Sequence, residues 1–184
     1  MSTLVIHPAD ATTNFLIPIY SNIYSFPDEE KVTVVRNGFT KDEVRDLIEE
    51  HDRVIMLGHG SPSGLFSMGQ FNSYGMIIDE SMVEALSKKK DNLYIWCNAD
   101  QFVQKHNLKG FYTGMFISEY SEADYCNVPA RTGEVERSND LFAQIVGRNI
   151  NESIDTMWKR VKRVYQLDSN QVAAYNNTRL YLAS

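Results

Sequence analysis

Short runs of apolar, often β-branched residues recur along the chain, separated by segments whose apolar positions fall at helical spacing. Leu4-Val5-Ile6-His7 reads as a buried strand stopped by Pro8, and Lys31-Val32-Thr33-Val34-Val35 as a second strand ended by Asn37-Gly38. Between them Phe15, Leu16, Ile19, Tyr20 and Ile23 fit a helix that Pro18 is expected to interrupt, with Asp10, Thr12 and Thr13 as caps and Pro27 in the loop behind it. Thr40-Lys41-Asp42-Glu43 is a capping box, and Val44, Leu47, Ile48 and His51 then trace one helix face. A third strand runs from Arg53 toward His59, followed by the turn-rich stretch Gly60 to Gly64. Leu65 to Tyr74 suits a small hairpin or an irregular excursion, and Met76-Ile77-Ile78 a short extended piece.

The second half repeats the pattern. Asp79 or Ser81 caps a helix carrying Met82, Val83, Ala85 and Leu86, closed by Lys88-Lys89-Lys90 at its negative end. Leu93 to Cys97 is the next strand, Asn98 or Asp100 caps a short helix with Phe102 and Val103, and Phe111 to Ile117 is an aromatic-rich strand after Gly110. Ser118 starts a helical turn. Ser138 is expected to cap a helix with Leu141, Phe142, Ile145 and Val146, ended at Gly147. Ile154, Met157, Trp158, Val161, Val164 and Tyr165 form the clearest apolar stripe, opposite Lys159, Arg160, Lys162 and Arg163. Leu180-Tyr181-Leu182 suits a last edge strand. Strand and helix alternate, so the expected fold is α/β: a three-layer sandwich around a mostly parallel, roughly six-stranded central sheet, in one domain over 1–184.

Composition narrows the function. The 184 residues carry 18 basic and 24 acidic side chains, a net charge of −6, which argues against a surface built for nucleic acid. The basic helix face is expected to be solvated. No apolar stretch approaches the roughly 18 residues needed to cross a membrane, and the start lacks the basic and apolar regions of a signal peptide, so the expected location is cytoplasmic. Two cysteines, Cys97 and Cys126, are too few for a disulfide framework. His7, His51 and His106 show no metal-ligand spacing, and no glycine loop for phosphate is present, so neither metal nor cofactor is expected.

Two stretches carry candidate chemistry. Arg53 to Ser61 and Leu93 to Asp100 are each an apolar run ending in small or polar residues, as when a buried strand delivers a side chain to a sheet edge. One delivers His59, the other Cys97, and in an open parallel sheet chemistry sits beyond the carboxyl ends of the strands. A cysteine nucleophile needs its thiolate, and a neighbouring imidazole can supply it and then protonate a leaving amine. The turn after Cys97, leading into a helix, is expected to favour that thiolate. Backbone N–H groups of Gly60 and Cys97 are the expected oxyanion donors. Ser61, Asp100, Glu119 and Glu122 are candidates for substrate contact, the two glutamates for a basic side chain preceding the cleaved bond.

Gly58-His59-Gly60-Ser61 followed by Ile95-Trp96-Cys97-Asn98-Ala99 resembles the caspase-like superfamily of cysteine peptidases, which includes caspases, legumain-like and clostripain-like peptidases and the CHAT domain. The resemblance implies a His59/Cys97 dyad at the ends of adjacent central strands, an oxyanion N–H from Gly60, and a peptide or protein substrate. The caspase fingerprint Gln-Ala-Cys-Arg-Gly is absent and Trp96 precedes the cysteine where caspases carry a small residue, so the chain is not expected to be a caspase proper. The expected function is thus a cysteine-type peptidase. The alternatives are an inactive caspase-like module that binds a protein partner, with an unreactive Cys97, and a doubly wound small-molecule-binding domain, with His59 and Cys97 far apart.

Overall fold

The structure, a computed structural model, describes residues 1–21 and 31–184. Strands β1 (Ser2–Ile6), β2 (Lys31–Val35), β3 (Arg53–Leu57), β7 (Leu93–Ile95), β8 (Gly110–Thr113) and β9 (Leu180–Ala183) form one sheet in the order β2-β1-β3-β7-β8-β9. Every neighbouring pair is parallel except β8 with β9. A separate antiparallel sheet follows β3: β4 (Gly60–Ser61), β5 (Gly64–Phe66) and β6 (Met76–Ile78). The turn-rich stretch from Gly60 to Gly64 is therefore paired, and the extended piece Met76–Ile78 is a strand that pairs with β5.

The central strands are apolar on both faces, as a sheet covered on both sides requires. Leu4, Ile6, Val54, Met56, Tyr94 and Tyr112 point to one layer, where they meet α2 (Lys41–Glu50), α3 (Val83–Ser87) and α4 (Ala99–Lys105) through Val44, Ile48, Leu86 and Phe102. Val5, Ile55, Leu57, Leu93, Ile95 and Phe111 point the other way, onto α1 (Pro18–Ser21), α6 (Glu134–Arg148) and α7 (Ile154–Leu167) through Ile19, Phe142, Val146, Met157 and Val161. α5 (Tyr120–Tyr125) and α8 (Gln171–Asn177) share a satellite cluster built on Ile117, Ala123, Val135 and Val172. The chain is α/β with a six-stranded, mostly parallel sheet between helical layers.

Several local expectations need correction. Pro18 does not break the first helical region: it opens α1, directly after a 3-10 turn over Ala11–Leu16, at a first-turn position that needs no N–H. The expected positions Ile23 and Pro27 lie outside the described residues. Ser138 does not cap a helix, because α6 starts at Glu134 and Ser138 is buried inside it, its hydroxyl and carbonyl meeting the Tyr165 hydroxyl. Gly147 does not end that helix either. A Cβ there would lie 2.3 Å from the Pro18 carbonyl oxygen, so this glycine lets α1 and α6 touch. The capping box at Thr40 and Glu43 forms as the spacing predicts.

Candidate functional site

β3 and β7 are adjacent and parallel, and the residues that follow them open on a common cleft. Gly58 leaves β3 with φ +139°, a backbone region that favours glycine, and its N–H donates to the Ile95 carbonyl at 3.1 Å, tying the two strand ends together. His59 comes next. Cys97 lies two residues past β7, in a turn held by three bonds: Thr113 Oγ1 and the Ala99 N–H donate to the Trp96 carbonyl, and the Asn98 N–H donates to Gly114. Asn98 takes the left-handed conformation (φ +65°) that starts α4.

Trp96 locks the two stretches together. Its indole N–H donates to the Ser61 carbonyl at 3.1 Å, and a Cβ on Gly60 would stand 2.2 Å from its Cδ1 and 2.6 Å from the Gly64 oxygen. Gly60 is glycine because the indole lies on it. His59 O accepts from Phe66 N at 2.9 Å, while Gly60 pairs with Leu65 and Ser61 with Gly64. Hydrogen-bonded and open pairs alternate along an antiparallel ladder, so Gly60 sits at an open pair and its N–H points away from β5.

The cleft is small and open to solvent, a cavity of about 20 Å3. His59 and Cys97 both line it, with an apolar wall of Phe15, Leu16, Ile95 and Phe116 and a few hydroxyls from Thr13, Thr113 and Ser118. Within it the two side chains engage different partners. Cys97 Sγ donates to the Phe116 carbonyl at 3.5 Å and stands 3.8 Å from Glu122 Oε1. Burial first, and the Glu122 carboxylate second, push the thiol from 9.0 up to about 12. The expectation that the turn into α4 favours a thiolate is thereby corrected: that helix is seven residues long, and desolvation beside a carboxylate outweighs it. Among the described residues no hydrogen bond joins Sγ to His59.

His59 Nε2 lies 2.6 Å from Thr12 Oγ1 and 3.7 Å from Asp10 Oδ1. Asp10 accepts from the Thr12 N–H at 2.9 Å and from the Thr12 hydroxyl, contacts that hold its carboxyl below the usual carboxylate range. His7 braces the same loop from β1. Thr13 Oγ1 donates to the Asp10 carbonyl at 3.2 Å, so it accepts from His7 Nε2 at 3.1 Å, leaving His7 Nδ1 to accept from the Tyr20 hydroxyl at 3.0 Å. Burial drops His7 from 6.5 to about 4, so it is neutral and structural.

The remaining expected residues sit around the cleft rather than in it. Ser61 belongs to the hairpin, its Oγ accepting from the Ser63 N–H. Asp100 lies in α4 beside Gly114, with Oδ1 buried and without a hydrogen-bond partner among the described residues. Glu122 accepts from Ser118 N, Ser118 Oγ and Glu119 N at the start of α5, so it backs the cysteine. Glu119 is the residue before that helix. Asp10 and Thr12 were legible only as caps; nothing in their spacing from His59 marks them as its partners. Among the described residues no group of His, Cys, Asp and Glu is placed to hold a metal, and no helix is long and apolar enough to cross a membrane. No protein-family model, curated protein or solved structure matches the chain.

Proposed function

We propose that the chain is a cysteine-type peptidase of caspase-like architecture. The observation that carries this reading is that His59 and Cys97, from the carboxyl ends of adjacent parallel strands, line one cleft. The sheet order, with a single antiparallel strand at one edge, is compatible with it. In the reaction Cys97 turns from the Phe116 carbonyl toward His59, which takes the Sγ proton. The thiolate then bonds to the scissile carbonyl carbon, and the resulting oxyanion is received by N–H donors, for which Gly60 and Cys97 are the candidates. Collapse of that intermediate breaks the C–N bond, and the amine leaves with the proton from His59. Water, deprotonated by the same imidazole, hydrolyses the thioester. Because Glu119 and Glu122 lie outside the cleft and its wall is apolar, an apolar side chain suits the position before the cleaved bond better than a basic one.

One observation favours a second reading. A thiol bonded to a carbonyl and set beside a carboxylate is protonated at neutral pH, which suits an inactive module that binds a protein partner. A mixed peptide library, analysed by mass spectrometry after incubation with the protein, separates the two. The peptidase cleaves it, and both Cys97→Ala and His59→Ala abolish cleavage while melting as the parent does. Cleavage retained in Cys97→Ala sinks the peptidase reading, and an untouched library favours the binding module.

A further inference from the structure

We propose that Asp10 and Thr12 are positioning residues that hold His59 as its Nε2-protonated tautomer, leaving Nδ1 as the nitrogen that accepts the proton of Cys97. The proposal rests on the peptidase reading for its last clause only; the tautomer itself is a property of the resting protein.

Proton counting carries the assignment. A carboxylate only accepts, and a threonine hydroxyl has one hydrogen to give. The Thr12 hydroxyl is in hydrogen-bond contact with both Asp10 Oδ1 and His59 Nε2. Asp10 is a carboxylate, so the Thr12 hydrogen goes to it. At 2.6 Å the contact with Nε2 then requires the hydrogen to be on the ring nitrogen, with the Thr12 oxygen accepting. The same carboxylate oxygen stands 3.7 Å from Nε2. Among the described residues Nδ1 has no hydrogen-bond partner, and its ring lines the cleft beside Cys97.

The geometry is built rather than incidental. Asp10 is fixed because it also accepts from the Thr12 N–H at the start of the 3-10 turn. The Asp10 carbonyl is held by Thr13, and Thr13 by the buried His7. The loop after β1 is thus tied to the strand at one end and to His59 at the other.

The test is nitrogen NMR of His59 in the full chain, with Thr12→Val, Thr12→Ser and His59→Ala to assign the ring signals. The parent is expected to show a protonated Nε2 whose proton exchanges slowly with water, and a bare Nδ1. Thr12→Val, at an exposed position, is expected to lose the slow Nε2 proton, and Thr12→Ser to restore it. A protonated Nδ1 in the parent, or a slow Nε2 proton unchanged in Thr12→Val, overturns the proposal. With a cleaved peptide in hand, Thr12→Val is expected to lower kcat about tenfold at constant KM, well short of the roughly 10^4-fold cost of a wholly wrong tautomer. If the tautomer signature holds while no peptide is cleaved, the peptidase reading fails and the positioning of His59 stands.

Discussion

Replacing Glu122 by glutamine should make Cys97 about threefold more reactive. The carboxylate oxygen stands 3.8 Å from Sγ, and the thiol lies at about 12 where an unperturbed one lies at 9.0. At pH 7 that displacement leaves roughly a thousandfold less thiolate, while the higher intrinsic nucleophilicity of a more basic thiolate returns a factor of about 20, so the net slowing is about fifty-fold. Burial is the larger cause and survives the substitution. The Coulomb energy of two unit charges at this separation is about 1 kcal/mol in water and about 4 kcal/mol at an effective dielectric of 20; because burial causes the larger part of the displacement, removing the charge should lower the thiol by about one unit. A unit gives roughly threefold in rate at neutral pH, hence an acceleration of about threefold. The assay is iodoacetamide labelling of Cys97 between pH 6 and 11, read by mass spectrometry in a Cys126→Ser background. Glutamine keeps a carbonyl to accept from Ser118 and Glu119, and a melting curve checks that α5 is intact. An unchanged labelling rate at neutral pH in Glu122→Gln would refute the claim that this carboxylate restrains the thiol.

Two further predictions concern the frame of the site. His7 is lowered from 6.5 to about 4, chiefly by burial, so the stability it contributes is present above pH 6.5 and is lost as pH falls through 4. The loss amounts to about 3 kcal/mol, and His7→Gln should flatten urea unfolding midpoints across that window; an equally steep fall in the variant would contradict it. Gly60→Ala should cost roughly 3 kcal/mol, because the new methyl meets the Trp96 ring and the Gly64 carbonyl. Urea titration measures this, and a loss within 0.5 kcal/mol, the rough range of ordinary surface substitutions, would refute the packing argument.

The central sheet was legible because its strands are buried on both faces and so appear as continuous apolar runs: Leu4 to Ile6, Val54 to Leu57 and Leu93 to Ile95 need only their composition to be read. Helix α2 was legible from period and capping box, and α7 from its period alone. The small sheet was legible only in part: Met76 to Ile78 reads as an extended piece, but Gly60–Ser61, two residues long, has no period to detect. Ser138 and Gly147 look like helix punctuation but serve tertiary contacts, with Tyr165 and with the Pro18 carbonyl, which no local rule reports. At the site, the convergence of His59 and Cys97 on one cleft follows from strand adjacency and was expected. The partners of each were not. Thr12 and Asp10 reach His59 across 47 and 49 positions, and Glu122 reaches Cys97 across 25, through loops whose paths depend on the whole packed core. Trp96, where caspases carry a small residue, is explained by the Gly60 surface on which it lies.

The most direct test of the dyad is covalent trapping by a peptidyl chloromethyl ketone with an apolar side chain before the ketone. Such a reagent places its carbonyl where a substrate's would sit, and a thiolate displaces its chloride. Intact-protein mass spectrometry should show one adduct, mapped to Cys97, and none in His59→Ala under the same conditions. Equal labelling in His59→Ala, or no adduct on a Cys97 that iodoacetamide still alkylates, would contradict a working His59/Cys97 pair.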